Sequence, residues 1–409
     1  MFELAQATAL PGADLPTETM RVLDAYCAEL SAEFREPGAL LDRDPDAIDR
    51  FLHLRGVQLG QAALLPEEYR PPLDVSSKLV DAAATCHGAV VLWERFSHGD
   101  PGVLLGSPGP SLSGGVVRGI ADREQYHRYF SRFAAAPTHT FFGLTEPARG
   151  SAATELSTTL SKAPDGEGWV LNGEKCYIGN GARAQIGVVF CRRAPGPWGI
   201  DAVLVDPDRP GFTGELLPSL GLRGARISRL RFDDVHVPNE SVLGAHLPAS
   251  RRGLHAAMRI LYRFRPGIAA MALGCAQAAC DYLVRERPAL PKSGRTRLEN
   301  LLDRVAAVRL LIHRVAADID RGAVNVHRIG AVKAQGARLA EESTLLAAEL
   351  LGPASLIEHP WLEKACRDVR AFEIMEGTAN LQRLSVFQGL LKDTFRYPDP
   401  GAGAHEARR

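Results

Sequence analysis

Apolar residues recur at three- and four-residue steps over two long parts of the chain and at two-residue steps between them. From about 17 to 135, Leu and Ala recur at helical spacing, with proline-rich breaks near 71–72 and 101–110. From about 140 to 245 the period shortens. "IGVVFCRR" and "DAVLVD" are β-branched runs of strand length, and "RLRFDDVHVP" alternates until Pro238 stops it. In "GWVLNGEKCYIG", Asn172-Gly173 lies between short apolar stretches, a signal that predicts a hairpin.

Beyond about 250 the helical period returns. Leu298, Leu301, Leu302, Val305, Val308, Ile312, Val315 and Ile319 form one apolar stripe. "RIGAVKAQGARLAEESTLLAAELLG" reads as a second long helix, ended by Gly352-Pro353. Long helices with short links predict a bundle. The expected organisation is therefore α+β: an N-terminal helical domain (1–137), a central, mostly antiparallel β domain (138–246) and a C-terminal helical bundle (247–395). The tail "YPDPGAGAHEARR" (396–409 in its bulk) is expected to be disordered.

Charge and cysteine usage narrow the function classes. Lys+Arg and Asp+Glu are 48 each among 409 residues. Nucleic-acid binding and membrane-surface binding normally need a basic excess, so neither is expected. The opening "MFELAQATALPGADLPTETM" has no positive n-region, and no secretory leader is expected from it. No uncharged apolar run reaches the length of a membrane span, so no insertion is expected. The seven cysteines lack any C-x-x-C arrangement, and the 12 histidines lack metal-ligand spacing. A reducing cytoplasm and no metal site are the expectations.

Four stretches, in order, resemble the acyl-CoA dehydrogenase family of flavoproteins: "FFGLTEPARGS" (141–151), "LNGEKCYIGNG" (171–181), "GLRGARISRLRFDDVHVPNESVLG" (221–244) and "RDVRAFEIMEGTANLQR" (367–383). Each is a weak signal alone; their joint order over most of the chain is not. The resemblance implies a helical domain, a β domain and a four-helix bundle, with FAD as cofactor. It places Phe142, Leu144 and Thr145 at the flavin ring, with Tyr177, Ile178 and Gly179 beside them. Gly377, Thr378 and Asn380 would complete the cofactor site. Ser151 would meet the pantetheine arm of a thioester, and Arg265 would lie near the reacting centre. The resemblance further implies an electron-transfer partner and a homodimer or homotetramer.

Glu376, in Glu376-Gly377-Thr378, matches the family's catalytic base. A thioester α-proton is too weakly acidic for an ordinary carboxylate at neutral pH. A dry setting raises the carboxylate's pKa, and donors at the thioester carbonyl stabilise the developing enolate. The apolar Ile374 and Met375 are expected to exclude water. By the resemblance, the donors are the base's own N–H and a ribityl hydroxyl of FAD, and the β-hydrogen leaves as hydride. Arg367, Asp368 and Arg370 read as ion-pairing residues at a helix end.

Several positions depart from the family pattern. Gly179 stands where a hydroxyl residue is usual. The R-x-x-F-G segment is missing, with only Lys292 or Arg295 nearby, and of the usual glycine-rich loop only Gly352 remains in "ELLGPAS". Tyr262, Gln388 and Ala152 replace charged residues, so an acyl- or peptidyl-carrier protein is as open as CoA for the thioester carrier. Two further readings stay open. A flavin N-hydroxylase on the same fold would show oxygen-dependent product formation. A degenerate subunit of a hetero-oligomer would not bind FAD when purified alone.

Overall fold

A computed structural model of the chain describes residues 17–148, 150 and 153–392; Ser151, Ala152 and the C-terminal tail lie outside them. The N-terminal region is helical: α1 (Glu18–Ser31), α2 (Arg35–Leu41), α3 (Arg55–Leu64), α4 (Ser77–Ala83), α5 (Cys86–Gly99), α6 (Pro101–Gly106), α7 (Ser111–Ile120) and α8 (Arg123–Ala135). Local chemistry sets several of these starts. Asp122 and Gln125 form a reciprocal capping box on α8, and Thr85 caps α5 by accepting from Gly88 N–H at 2.9 Å. The break expected over 101–110 is shorter than predicted. Pro101 occupies the first turn of α6, where its missing N–H costs nothing.

The β region contains β1 (Thr140–Gly143), β2 (Thr159–Lys162), β3 (Trp169–Ile178), β4 (Ile186–Arg192), β5 (Ile200–Val205), β6 (Phe212–Leu216), β7 (Ser228–Val237) and β8 (Val242–Leu243). They form one sheet in the order β6-β7-β3-β2-β4-β5-β8, with β1 paired to β4. The β1–β4 pairing and a single β2–β4 pair are parallel; the other ladders are antiparallel. β4 is apolar and buried from Ile186 to Cys191 because both faces are covered. Ile186, Val188 and Phe190 pack with α7 and α8, while Val189 and Cys191 pack with Leu160, Leu171 and Leu230.

The predicted hairpin at Asn172-Gly173 is absent: β3 runs straight through it. The irregularity lies in the partner strand. Leu171 pairs with Val235 and Gly173 with Phe232, so β7 carries one extra residue, a bulge. Asp234 in that bulge has φ +51°, and Asn172 braces it: its Nδ2 donates to Asp234 Oδ1 and its Oδ1 accepts from Asp234 N–H, both at 2.8 Å. Gly173 is needed because a Cβ there would lie 2.7 Å from Thr158 Cα. Turn-type residues here serve a bulged ladder rather than a chain reversal.

The C-terminal region comprises α9 (Leu254–Glu286), α10 (Lys292–Asp320), α11 (Val326–Leu351), the short α12 (Ser355–Glu358), α13 (Pro360–Asp368), α14 (Arg370–Ile374) and α15 (Ala379–Leu391). The three long helices α9, α10 and α11 and the shorter α15, which packs on α11, form the bundle. The α10 stripe points into it, with Leu298, Leu301, Val305, Ile312 and Val315 buried against α9 and α11 residues. By length and hydropathy α9 would suffice to cross a membrane, an exception to the expectation above. However, 83% of its most apolar window is buried within the fold, as befits a central bundle helix.

Polar contacts tie the three regions together. Lys364 Nζ donates to Asp100 Oδ2 (2.5 Å) and Asp368 Oδ2 (2.6 Å), and Asp368 Oδ1 accepts from Leu222 N–H at 2.6 Å. Arg367 pairs with Asp42 and Glu363, and Arg370 with Glu341. The "RDVR" residues thus act as ion-pairing links, as expected.

Candidate active site

Glu376 lies in the connection between α14 and α15. α14 ends when Met375 turns to extended backbone, and Thr378 starts α15 as its N-cap, its hydroxyl accepting from Leu381 N–H at 3.4 Å. Between them the chain passes through two positive φ values, +55° at Glu376 and +94° at Gly377. Gly377 adopts such a value freely. Glu376 does not: the left-handed region costs a non-glycine residue about 1–2 kcal/mol.

Two buried cations hold this turn by its carbonyls. Arg265, on α9 next to Pro266, donates from Nε to Glu376 O at 2.9 Å. Lys333, on α11, donates from Nζ to Glu373 O (3.0 Å) and Gly377 O (2.7 Å). A Cβ at position 377 would lie 3.0 Å from Gln382 Nε2 and 3.3 Å from an Arg265 nitrogen, so glycine also permits this close approach. The Glu376 N–H meets no acceptor among the described residues.

Burial pushes the Glu376 carboxyl above the usual carboxylate range, while Arg265 and Lys333 act in the opposite sense. The side chain is half-buried by surface area. Its desolvation comes from dense surroundings rather than from complete enclosure. The expected shielding by Ile374 fails. Phe372 takes the inward face of α14, so Ile374, two residues on, is 66% exposed. Met375 does pack against the bundle core.

The β-domain candidates form a second group. Phe142 packs on Phe190 with ring centroids 5.1 Å apart, and Leu144 is buried. The loop after β1 is fixed from β3: Cys176 N–H donates to Thr145 O (2.9 Å) and Lys175 Nζ to Leu144 O (3.2 Å). Lys175 also donates to Glu146 Oε1 at 2.8 Å, and both side chains are inaccessible to solvent. Glu146 accepts in addition from Ser157 N–H, Ser157 Oγ and Thr158 N–H. Burial raises its pKa, but the Lys175 charge and these donors outweigh that and hold it at about 2.

Immediately after Lys175–Cys176 comes Tyr177, 63% exposed with φ +62°, then buried Ile178 and half-buried Gly179. The Thr145 hydroxyl has no hydrogen-bond partner among the described residues. An exposed aromatic ring beside a polar loop edge fits a planar heterocycle such as a flavin ring. Gly179 leaves space, its nearest neighbour beyond a built Cβ being Ala225 O at 3.8 Å. Asn380 is exposed and bonds Arg383, and Lys292 and Arg295 are exposed at the start of α10. No hydrogen bond or ion pair joins the two groups among the described residues. Ser151 lies outside those residues.

Matches to known proteins agree with this architecture. Residues 141–235 match the family model "Acyl-CoA dehydrogenase, middle domain", and residues 251–391 match "Acyl-CoA dehydrogenase, C-terminal domain". An acyl-CoA dehydrogenase of Bacillus subtilis (strain 168) is 34% identical over 306 residues, covering 72% of this chain and 79% of that protein. The chain belongs to the acyl-CoA dehydrogenase family.

Among solved structures, butyryl-CoA dehydrogenase from Megasphaera elsdenii superposes with a TM-score of 0.79 at 25% identity, covering 92% of this chain and 99% of the other. Glutaryl-CoA dehydrogenase from Mycobacterium smegmatis, solved in complex with FADH2, gives 0.77 at 22% identity, covering 93% and 96%, and shares the fold. The acyl-CoA dehydrogenase family is FAD-dependent and oxidises CH–CH groups.

The sequence did not disclose Lys333, Lys175 and Glu146. Lysine in "GAVKAQG" and in "NGEKCYI" reads as solvated until the partner elements are known. The available signal was position for the two lysines, which sit at inward-facing steps of β3 and α11; Glu146 lies in the loop after β1, where no period applies.

Proposed function

We propose that this chain catalyses FAD-dependent α,β-dehydrogenation of an acyl thioester, with Glu376 taking the α-proton. The carrying observation is the Glu376 turn itself. It offers a carboxylate whose pKa burial raises, next to its own uncommitted N–H, on backbone fixed by Arg265 and Lys333. The N–H supplies a donor for the thioester carbonyl, and the carboxylate accepts the proton that this polarisation loosens.

Phe142, Leu144, Thr145, Tyr177, Ile178 and Gly179 would hold the flavin ring, with Gly377, Thr378 and Asn380 opposite. FAD, when bound, supplies the two-electron acceptor for the β-hydrogen. An electron-transfer partner is expected to reoxidise it. The exposed Leu384, Phe387, Leu390 and Leu391 of α15 support a homodimer or homotetramer. The seven unpaired cysteines support a reducing, cytoplasmic setting.

For the thioester carrier, a second reading rests on two uncharged positions. Tyr262 packs 5.3 Å from the Arg265 guanidinium, and Gln388 is exposed, so neither offers charge to an adenosine phosphate. A carrier-protein pantetheine lacks that phosphate and would not miss those contacts.

The test is anaerobic flavin bleaching by acyl-CoAs and by acyl groups loaded on a carrier protein. Wild type bleaches with one class or both, and Glu376→Gln keeps its FAD but loses roughly 10²–10⁴-fold in rate. Bleaching by Glu376→Gln at the wild-type rate would refute the assignment.

A further inference from the structure

Lys333 is the most deeply buried ammonium near the Glu376 turn, with no exposed surface. Its neighbours on α11 are Val332 and Ala334, both buried. A buried charge without a carboxylate hydrogen-bonded to it is costly, and a methionine would fill the same volume without that cost. Its two acceptors explain why a charge sits there. Glu373 O and Gly377 O flank the tripeptide 374–376, so one ammonium staples both ends of the turn that holds Glu376 at φ +55°. Arg265 holds the middle carbonyl from α9.

We propose that Lys333 is a positioning residue for Glu376: it fixes the left-handed turn that presents the carboxylate, and its charge behind that turn favours the ionised, proton-accepting form. This rests on Glu376 being the base. The charged groups facing Lys333 are Glu373 of α14, Arg265 of α9 and Glu376 itself, while α15 contributes uncharged Gln382, whose Nε2 reaches Gly377 O at 3.4 Å. Burial lowers Lys333 to about 8, with Arg265 acting in the same sense and the two glutamates opposing. The group remains largely protonated where a carboxylate base has to be ionised.

Full-length, FAD-loaded Lys333→Met and Lys333→Gln are compared with wild type by three readouts: kcat and KM, the pH profile of kcat, and amide hydrogen exchange of residues 374–378. Lys333→Met is expected to keep FAD and KM within about twofold, while kcat falls about 10–100-fold, as displaced reacting groups do. Its acidic limb should move up by roughly one pH unit, because a cation that lowers the Glu376 pKa is gone. Exchange of the turn amides should accelerate.

Lys333→Gln keeps two N–H donors without charge. It should slow exchange again and recover most of kcat above the limb, while the limb stays displaced. Should Lys333→Met not fold, Lys333→Gln carries the charge arm alone. Wild-type exchange and an unmoved limb in either folded variant would overturn the proposal. So would a loss of kcat confined to lost FAD. Turnover by Glu376→Gln would instead remove the base assignment, while the exchange arm would still decide whether Lys333 holds the turn.

Discussion

Two loops bear the candidate chemistry, and each hangs from a lysine with no exposed surface. Behind the loop after β1, Lys175 meets Leu144 O and the carboxylate of Glu146, which has three further donors of its own. Behind the Glu376 turn, Lys333 meets two carbonyls and, among the described residues, no carboxylate within hydrogen-bond range. The first arrangement is charge-balanced and closed. The second leaves net positive charge beside the residue that has to change protonation state. The difference separates a platform from a working part: a ring-binding surface gains from rigidity, whereas a base gains from a nearby field that acts on its pKa.

The largest expected effect tests the balanced side. Lys175→Met leaves Glu146 buried and unpaired, and should lower stability by about 3–5 kcal/mol, measured by urea unfolding. Lys175→Met with Glu146→Leu should recover much of that. Lys333→Met strands only carbonyls and should cost less, within about 1–3 kcal/mol. Equal losses for Lys175→Met and Lys333→Met would erase the distinction between the loops.

A second measurement sharpens it through pH. Lys333 has its folded pKa lowered to about 8 from the 10.5 of an unperturbed lysine. Between those values the unfolded chain binds more protons, so stability rises with pH across that window and the cost is fully present below it. Wild type should therefore gain up to about 3 kcal/mol relative to Lys333→Met from pH 8 to 10.5. Glu146 behaves oppositely at the acid end: its depressed pKa contributes stability above about 4.5 that is lost as pH falls towards 2. The smallest effect concerns the cap. Thr378→Ala removes one hydrogen bond at the start of α15 and should cost about 1 kcal/mol by thermal unfolding. It should leave the β1 loop unaffected by hydrogen exchange.

Periodicity alone placed the helical ends and the sheet between them, because burial of an apolar face is written directly in residue spacing. The α10 stripe and the alternation of β7 are examples. Glu376 was singled out through its Glu-Gly-Thr neighbourhood, whereas the positive φ at Glu376 and Gly377 was not read from those residues. Asn172-Gly173 misled because a bulge and a turn draw on the same residue types, and only the partner strand decides between them. Ile374 misled because apolar character says nothing of which side of a short helix faces inward. The two lysines were invisible for a related reason: their burial is a property of the elements packed on them, Glu146 for one and the α14–α15 turn for the other.

The junction of Lys364 with Asp100, Asp368 and Leu222 has a consequence for how the molecule comes apart. One ammonium and two carboxylates, drawn from the first helical region and the bundle, are closed by an amide of the β region. Removing the first helical region leaves Lys364 without one of its two carboxylates, and removing the β region leaves Asp368 Oδ1 without its amide donor. A cut at either boundary would therefore leave a buried polar group of the bundle without a partner it now has.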